Sequence, residues 1–290
     1  MKGKSLLLLT ALAFVSFAFL AGCAHQPLSR ATASVPLSAY VQPAAESRMI
    51  DRKAPLALPA AVSILFVPGK SDLQAVPYTT LHKAALDLKK KLLESPKYVS
   101  SVSIVQAGDA VEKVSLEHIR RSYATDIVIL LSYRQNQRST QSDAAGLLDA
   151  TLMGMFLVSG TSVRTTTLVD AQVVHIPNNA LIFRTSGTDE RTASSTTHGE
   201  RDTAVEESLK GLLAATAEAG NDIAAAMTRF EKYDLSQAVP LTLAAGETRD
   251  ARTNDYWKKV DSYKSSGGGA FGLAPLLLAL ALGCWARRDR

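Results

Sequence analysis

The side chains able to form covalent or metal bonds are few and lie far apart. Of 290 residues two are cysteines, Cys23 and Cys284, and each borders an apolar terminal segment. The stretch between them has no thiol, which leaves no disulfide and no thiolate zinc site there. The five histidines are His25, His82, His118, His175 and His198; none is paired at metal-ligand spacing, and His-Glu-x-x-His is absent. Isolated imidazoles of this kind read as surface or satisfied core residues. Gly-x-Ser-x-Gly is absent too. Val67-Pro68-Gly69-Lys70-Ser71 has the closing residues of a phosphate loop. The first glycine of that pattern falls on Ile64, however, so the cradle of backbone amides is missing. Asp189-Glu190 and Glu206-Glu207 are adjacent carboxylates whose side chains diverge, as on a solvated surface. The middle of the chain therefore reads as non-enzymatic, with no catalytic residue, no metal ligands and no cofactor.

Cys23 is the thiol with a chemical context. Lys2 and Lys4 form a short basic start, and Leu6 to Leu20 is an apolar run too short and too early for an ordinary spanning helix. It ends in Leu20-Ala21-Gly22-Cys23, the form of a bacterial lipobox. Small residues at 21 and 22 let a peptidase reach the backbone, and the thiol at 23 accepts diacylglycerol. Residue 24 is alanine. Well-studied Gram-negative lipoproteins with aspartate there stay in the inner membrane, so alanine implies transfer to the outer membrane, facing the periplasm or the surface. Acyl chains contributing about 0.8 kcal/mol per buried methylene make such an anchor effectively permanent.

The other end carries a second membrane signal. Gly267-Gly268-Gly269 leads into an apolar segment from Ala270 to Ala286, followed by Arg287 and Arg288. At about 1.5 Å per residue that segment covers roughly 25 Å, slightly short of a bilayer core. The positive-inside rule leaves its basic end in the cytoplasm and the preceding domain in the periplasm. Glycines weaken helix and let backbone extend into a protease site, and Pro275 loosens the start of the span. The layout resembles the GlyGly-CTERM tails cleaved by rhombosortases, which are rhomboid-like intramembrane proteases. Together, lipobox and tail resemble the rhombotarget lipoproteins. That resemblance implies a cell-envelope lipoprotein, first inserted in the inner membrane and handled by lipoprotein-processing enzymes and a rhombosortase-like protease. An outer-membrane lipid and an inner-membrane span conflict on one compact chain, so the tail is expected to come off.

The formal net charge of +5 belongs mostly to these ends. Lys2 and Lys4 supply two charges, and Arg287, Arg288 and Arg290 less Asp289 supply two more, leaving +1. That residue of charge is not the footprint of a nucleic-acid partner.

The elements between the ends alternate. Ala61 to Val67 reads as a strand buried on both faces. Thr80 to Glu94 has helical spacing and stops at Ser95-Pro96. Tyr98 to Gln106 reads as a strand, and Asp109 to Ala124 contains a helix. Asp126 to Tyr133 is a second apolar strand. Arg134 to Ala145 reads as a polar loop, and Leu147 to Ser159 as a core helix, part of a hairpin, or an exposed surface for oligomerisation or membrane contact. Arg164 to Ile176 and Leu181 to Ser186 flank a Pro177-Asn178-Asn179 turn, and Thr185 to Thr197 reads as a hairpin extension or a flexible loop. A long helix runs from about Ala204 to Phe230, with Thr203 and Glu206 as a capping box and Gly220-Asn221 as an interruption. A short extended segment covers Val239 to Ala244.

The expected fold is α/β (α+β), with a two- or three-layer mixed sheet. Its order is β-α-β-α-β, then an antiparallel hairpin and a long C-terminal helix. The expected divisions are a signal peptide (1–22), a flexible lipid tether (23–59), a mixed α/β periplasmic domain (60–235), a polar spacer (236–266) and a sorting tail (267–290). The middle loosely resembles lipoprotein domains of the curli-secretion and penicillin-binding-protein-activator type. The residues concerned are Asp126-Ile127-Val128 at one strand and Leu168-Val169-Asp170 in the hairpin. The expected function is a binding or assembly domain acting on itself or on an envelope protein. The alternatives are an oligomeric export component and a periplasmic hydrolase.

Overall fold

The computed structural model describes residues 28–42, 56–69, 76–106, 113–142, 159–229 and 239–241. All of them belong to one unit, Met1–Gly246. Its frame is a mixed sheet. Strand β1 is Ser29–Ala33, β3 is Ala60–Phe66, β4 is Val99–Val105, β6 is Ile127–Gln141, β7 is Thr161–His175, β8 is Ala180–Ser195 and β9 is Val239–Pro240. Two short strands, β2 (Val41–Gln42) and β5 (Val114–Ser115), pair separately. The helices are α1 (Leu37–Tyr40), α2 (Tyr78–Leu93), α3 (Leu116–Tyr123) and α4 (Glu200–Met227).

The order across the sheet is β4-β3-β6-β7-β8-β9. β3 is parallel to β4 and to the first part of β6. The pairings from β6 through β9 are antiparallel. The expected β-α-β-α-β start, hairpin and long helix are all present.

β6 has two neighbours in succession along one edge. Ile127 to Leu131 pair with β3, and Arg134 to Arg138 pair with β1. The stretch expected as a polar loop is thus strand as far as Gln141. Its side chains alternate as a strand's must, with Gln135, Gln137 and Ser139 buried. The strand was hidden because both of its faces are polar there. β8 likewise runs on to Ser195, so the Thr/Ser-rich stretch extends the hairpin.

Within the span expected as a flexible tether, 23–59, the described residues 28–42 are instead built into the fold. Ser29–Ala33 is a sheet strand, and Leu37, Tyr40 and Val41 are buried in a core cluster. The segment's small and polar residues pair by backbone, which leaves little hydrophobic pattern.

The sheet's two faces carry separate cores around the β3 half. Val62, Ile64, Ile129, Leu131, Val169 and Val173 meet α2 and α4. Leu65, Val128, Leu130 and Val174 meet α1 and α3 through Leu37, Tyr40, Leu116 and Ile119. The architecture there is three-layered.

α4 begins earlier than its apolar spacing suggested. Gly199 is its N-cap, without a side-chain cap bond, and Thr203 lies inside the helix with its hydroxyl bonded to Ser195 Oγ at 3.0 Å. Gly220 does not break it. Its buried face is mostly small, with Ala204, Gly211, Ala215, Ala219 and Gly220. Small residues bring the helix close to the strands: a Cβ placed on Gly187 of β8 would lie 1.8 Å from Ala215 O. The apolar segment Leu147 to Ser159 lies outside the described residues except for Ser159 itself.

Candidate functional site

β6, β7 and β8 are long enough to give the sheet two distinct ends. β6 has 15 residues, which at about 3.3 Å each spans roughly 45 Å. One end gathers Leu28, the close of β6 at Gln141, the start of β7 at Thr161, the close of β8 at Ser195 and the start of α4. The opposite end holds the 176–179 turn and β9.

Leu28 fastens the amino-terminal segment to the first end. Its N–H donates to Ser139 Oγ at 2.7 Å and to Glu200 Oε1 at 3.0 Å, and its carbonyl accepts from Ser139 N at 2.9 Å. Glu200 is buried under this contact. β6 and β7 are closed at the same end by Ser142 N donating to Gly160 O at 2.9 Å.

Beneath the first half of α4 the interior is polar. Gln135 Nε2 donates to the Ser208 carbonyl at 2.7 Å and to Thr167 Oγ1 at 3.1 Å. Gln135 Oε1 accepts from Ser208 Oγ at 2.6 Å and Thr32 Oγ1 at 3.2 Å. Gln137 Nε2 donates to the Ala204 carbonyl. The Gln135 amide ties β1, β7 and α4 to β6, and the Gln137 amide ties α4 to it. This arrangement positions the elements.

The same end carries arginines. Arg30 and Arg201 are near enough to act on one another; the Arg30 guanidinium is pulled below its ordinary range by partial burial and by Arg201. Arg138 stands opposite Ser29 on one side and Arg164 on the other. Arg164 pairs with Glu190.

Cys23, the lipobox residues Leu20, Ala21 and Gly22, and Gly267, Gly268 and Gly269 lie outside the described residues, as does His25. The other histidines are scattered. His82 stacks on Tyr78, His118 Nε2 meets Ser122 Oγ, and His175 is buried at the opposite end. Among the described residues no three His, Cys, Asp or Glu side chains gather around a metal position.

The carboxylate pairs diverge or serve one cation. Asp189 pairs with Arg191 while Glu190 pairs with Arg164, and Glu206 and Glu207 both bond Lys210. Gly69 bridges to Ser34 in backbone pairing. Val169 joins the core under α4, and Asp170 faces Arg184 at 3.6 Å.

Among the described residues the exposed large apolar side chains are Tyr78, Leu86 and Leu93, all on α2. Leu86 and Leu93 border a shallow open groove with Lys89, Lys90 and Glu94.

No family model matches the chain, and no curated protein matches it. Among solved structures it is similar to a dodecamer of a PelC point variant from Paraburkholderia phytofirmans, with 13% identity and a TM-score of 0.24. That match covers 56% of this chain and 95% of the PelC chain. A second PelC dodecamer from the same organism shows 12% identity and a TM-score of 0.22, over 66% of this chain and 99% of the PelC chain.

Proposed function

We propose that this chain is a cell-envelope lipoprotein of the outer membrane, anchored through Cys23. Its sorting tail is cut near Gly267-Gly268-Gly269 by a rhomboid-like protease, and its domain binds or assembles without catalysis. The observation that carries the reading is the thiol at the end of Leu20-Ala21-Gly22, after a basic start and a short apolar run. The placement of the chain's two exits supports it. The segment from Cys23 joins the body at Leu28, and the chain leaves through β9 and Leu241 at the other end of the sheet.

The binding or assembly role rests on Tyr78, Leu86 and Leu93, exposed on one helix and flanked by Lys89 and Lys90. Exposed apolar side chains grouped on one face mark interaction surfaces. The same feature favours the second reading, an oligomeric export-associated lipoprotein.

The decisive experiment compares Cys23→Ser with the parent chain by membrane fractionation and intact mass. The parent is expected in the outer membrane, starting at a lipid-modified Cys23 and ending near the glycines. The variant is expected to be lost from that fraction. A Cys23→Ser protein still in the outer membrane, or a mature mass retaining Arg290, would overturn the corresponding half of the reading.

A further inference from the structure

We infer that the end of the sheet where β1 enters lies against the bilayer holding the Cys23 lipid, with Arg30, Arg138 and Arg201 contacting anionic headgroups. The inference rests on the Cys23 anchor proposed above.

It follows from how little chain separates that anchor from the folded body. Leu28 is held by Ser139 and Glu200 through the three backbone bonds described above. Five peptide steps run from Cys23 to Leu28. A fully extended chain spans about 3.5 Å per residue, so Leu28 stays within about 18 Å of the lipid-bearing Cα. The sheet is roughly 45 Å long, measured along β6 at about 3.3 Å per residue. A leash shorter than half that length does not let the opposite end take the place of the first.

The side chains at this end suit a phosphate-rich surface. Arg201 is exposed, Arg30 and Arg138 are half-buried, and they come from α4, β1 and β6. Arg138 faces Arg164 across the β6–β7 ladder, and Arg30 is close to Arg201. Arg164 pairs with Glu190. Asp202 is exposed on the same turn as Arg201, so the contacts are those of individual guanidiniums rather than of a uniformly basic face. Close to an anionic membrane each such cation contributes about a fivefold preference.

The test uses the full lipidated protein with Cys284→Ser, reconstituted into phosphatidylglycerol vesicles that contain a headgroup-level fluorescence quencher. A fluorophore is attached through Asp202→Cys at the anchor end or Lys97→Cys at the opposite end. The expected result is strong quenching at 202 and little at 97. Adding Arg30→Gln and Arg201→Gln should lower the ratio of apposed to lifted molecules about fivefold for each arginine removed. Co-flotation with vesicles and the mass of the lipidated terminus report on the anchor separately. Co-floating protein quenched equally at 97 and 202 overturns the orientation while the anchor stands. Unchanged quenching in the double variant overturns the arginine contacts. Protein that fails to float, or whose Cys23 carries no lipid, overturns the anchor and this inference with it.

Discussion

The same three strands under one helix build two different interiors. Toward the turn at 176–179, α4 covers Ile127, Ile129, Leu131, Val169 and Val173. Toward Leu28 it covers Gln135, Gln137, Ser139, Thr165 and Thr167. The first interior is stabilised by removing apolar area from water, about 25 cal/mol per Å², and needs little directionality. The second offers little apolar gain and holds through hydrogen bonds, each contributing about 1 kcal/mol net but costing more when unmade. An apolar core accepts several packings, whereas Gln135 is satisfied only when Thr32, Thr167 and Ser208 all stand where they do. The polar half thus fixes the register of β1, the strand nearest the proposed lipid anchor, and the apolar half supplies most of the cohesion.

The strongest way to break this contrast is to pry α4 off the sheet where the two interiors meet. Gly187 pairs with Val169, and a methyl group there would lie 1.8 Å from Ala215 O and 2.7 Å from Ala219 N, both backbone atoms. Neither can move without shifting the helix. Gly187→Ala should cost about 3 kcal/mol or more, since overpacking a close contact displaces backbone. Gly220→Ala is the control. Its new methyl meets only Leu88 Cδ1, at 2.8 Å, which is the free end of a side chain. The gain in helix propensity, up to about 1 kcal/mol, offsets that contact and leaves the change near neutral. Chemical denaturation distinguishes the two, and equal effects would mean that α4 is not seated as closely as described.

A more selective change sharpens the comparison. Gln135→Leu keeps the size of the side chain and removes its amide. Thr32 Oγ1, Thr167 Oγ1 and Ser208 Oγ then lose their shared partner. The expected loss is about 2 kcal/mol, the usual cost of leaving buried polar groups unmatched. Amide exchange should rise in β1 before it rises in β3. Uniform loosening of the whole sheet would show that the two interiors melt as one.

The apolar half was legible in the sequence and the polar half was not, for the same physical reason. Ile127 to Leu131 and Ala61 to Val67 announce themselves as continuous apolar runs, and α2 repeats Leu81, Ala85, Leu88 and Leu92 at helical spacing. Arg134 to Gln141 alternates between two kinds of polar residue, so its period of two carries no hydropathy signal. Ser29 to Ala33 is short, small and polar, and became a strand only by pairing with that hidden extension. Thr203 and Glu206 matched a helix start, yet tertiary packing began α4 at Glu200, where the carboxylate bonds Leu28. Of the candidate site, Cys23 is proposed from its sequence neighbours alone and lies outside the described residues. The meeting of Arg30 with Arg201 was not readable, because it needs both β1 and the early helix start.

The smallest expected effect tests the opposite end by pH. His175 pairs with Ile127 and is 8% exposed, and its Nδ1 has no hydrogen-bond partner. Desolvation lowers its pKa; Asp126 opposes that shift and Arg120 adds to it. The folded-state pKa therefore lies below the unfolded value of about 6.5. Between those two values the unfolded chain binds more protons than the folded one, so stability rises with pH across that window. His175 should make no pH-dependent contribution well above about 6.5, should weaken the fold as pH falls below it, and should level off beneath its folded pKa. Denaturation from pH 7.5 down to 5 in the parent and in His175→Gln measures the difference. The variant should have a shallower slope, because a neutral amide has no proton to gain. Identical slopes would mean that the imidazole takes up its proton as readily in the fold as in water, and that this end of the sheet is wetter than its apolar lining implies.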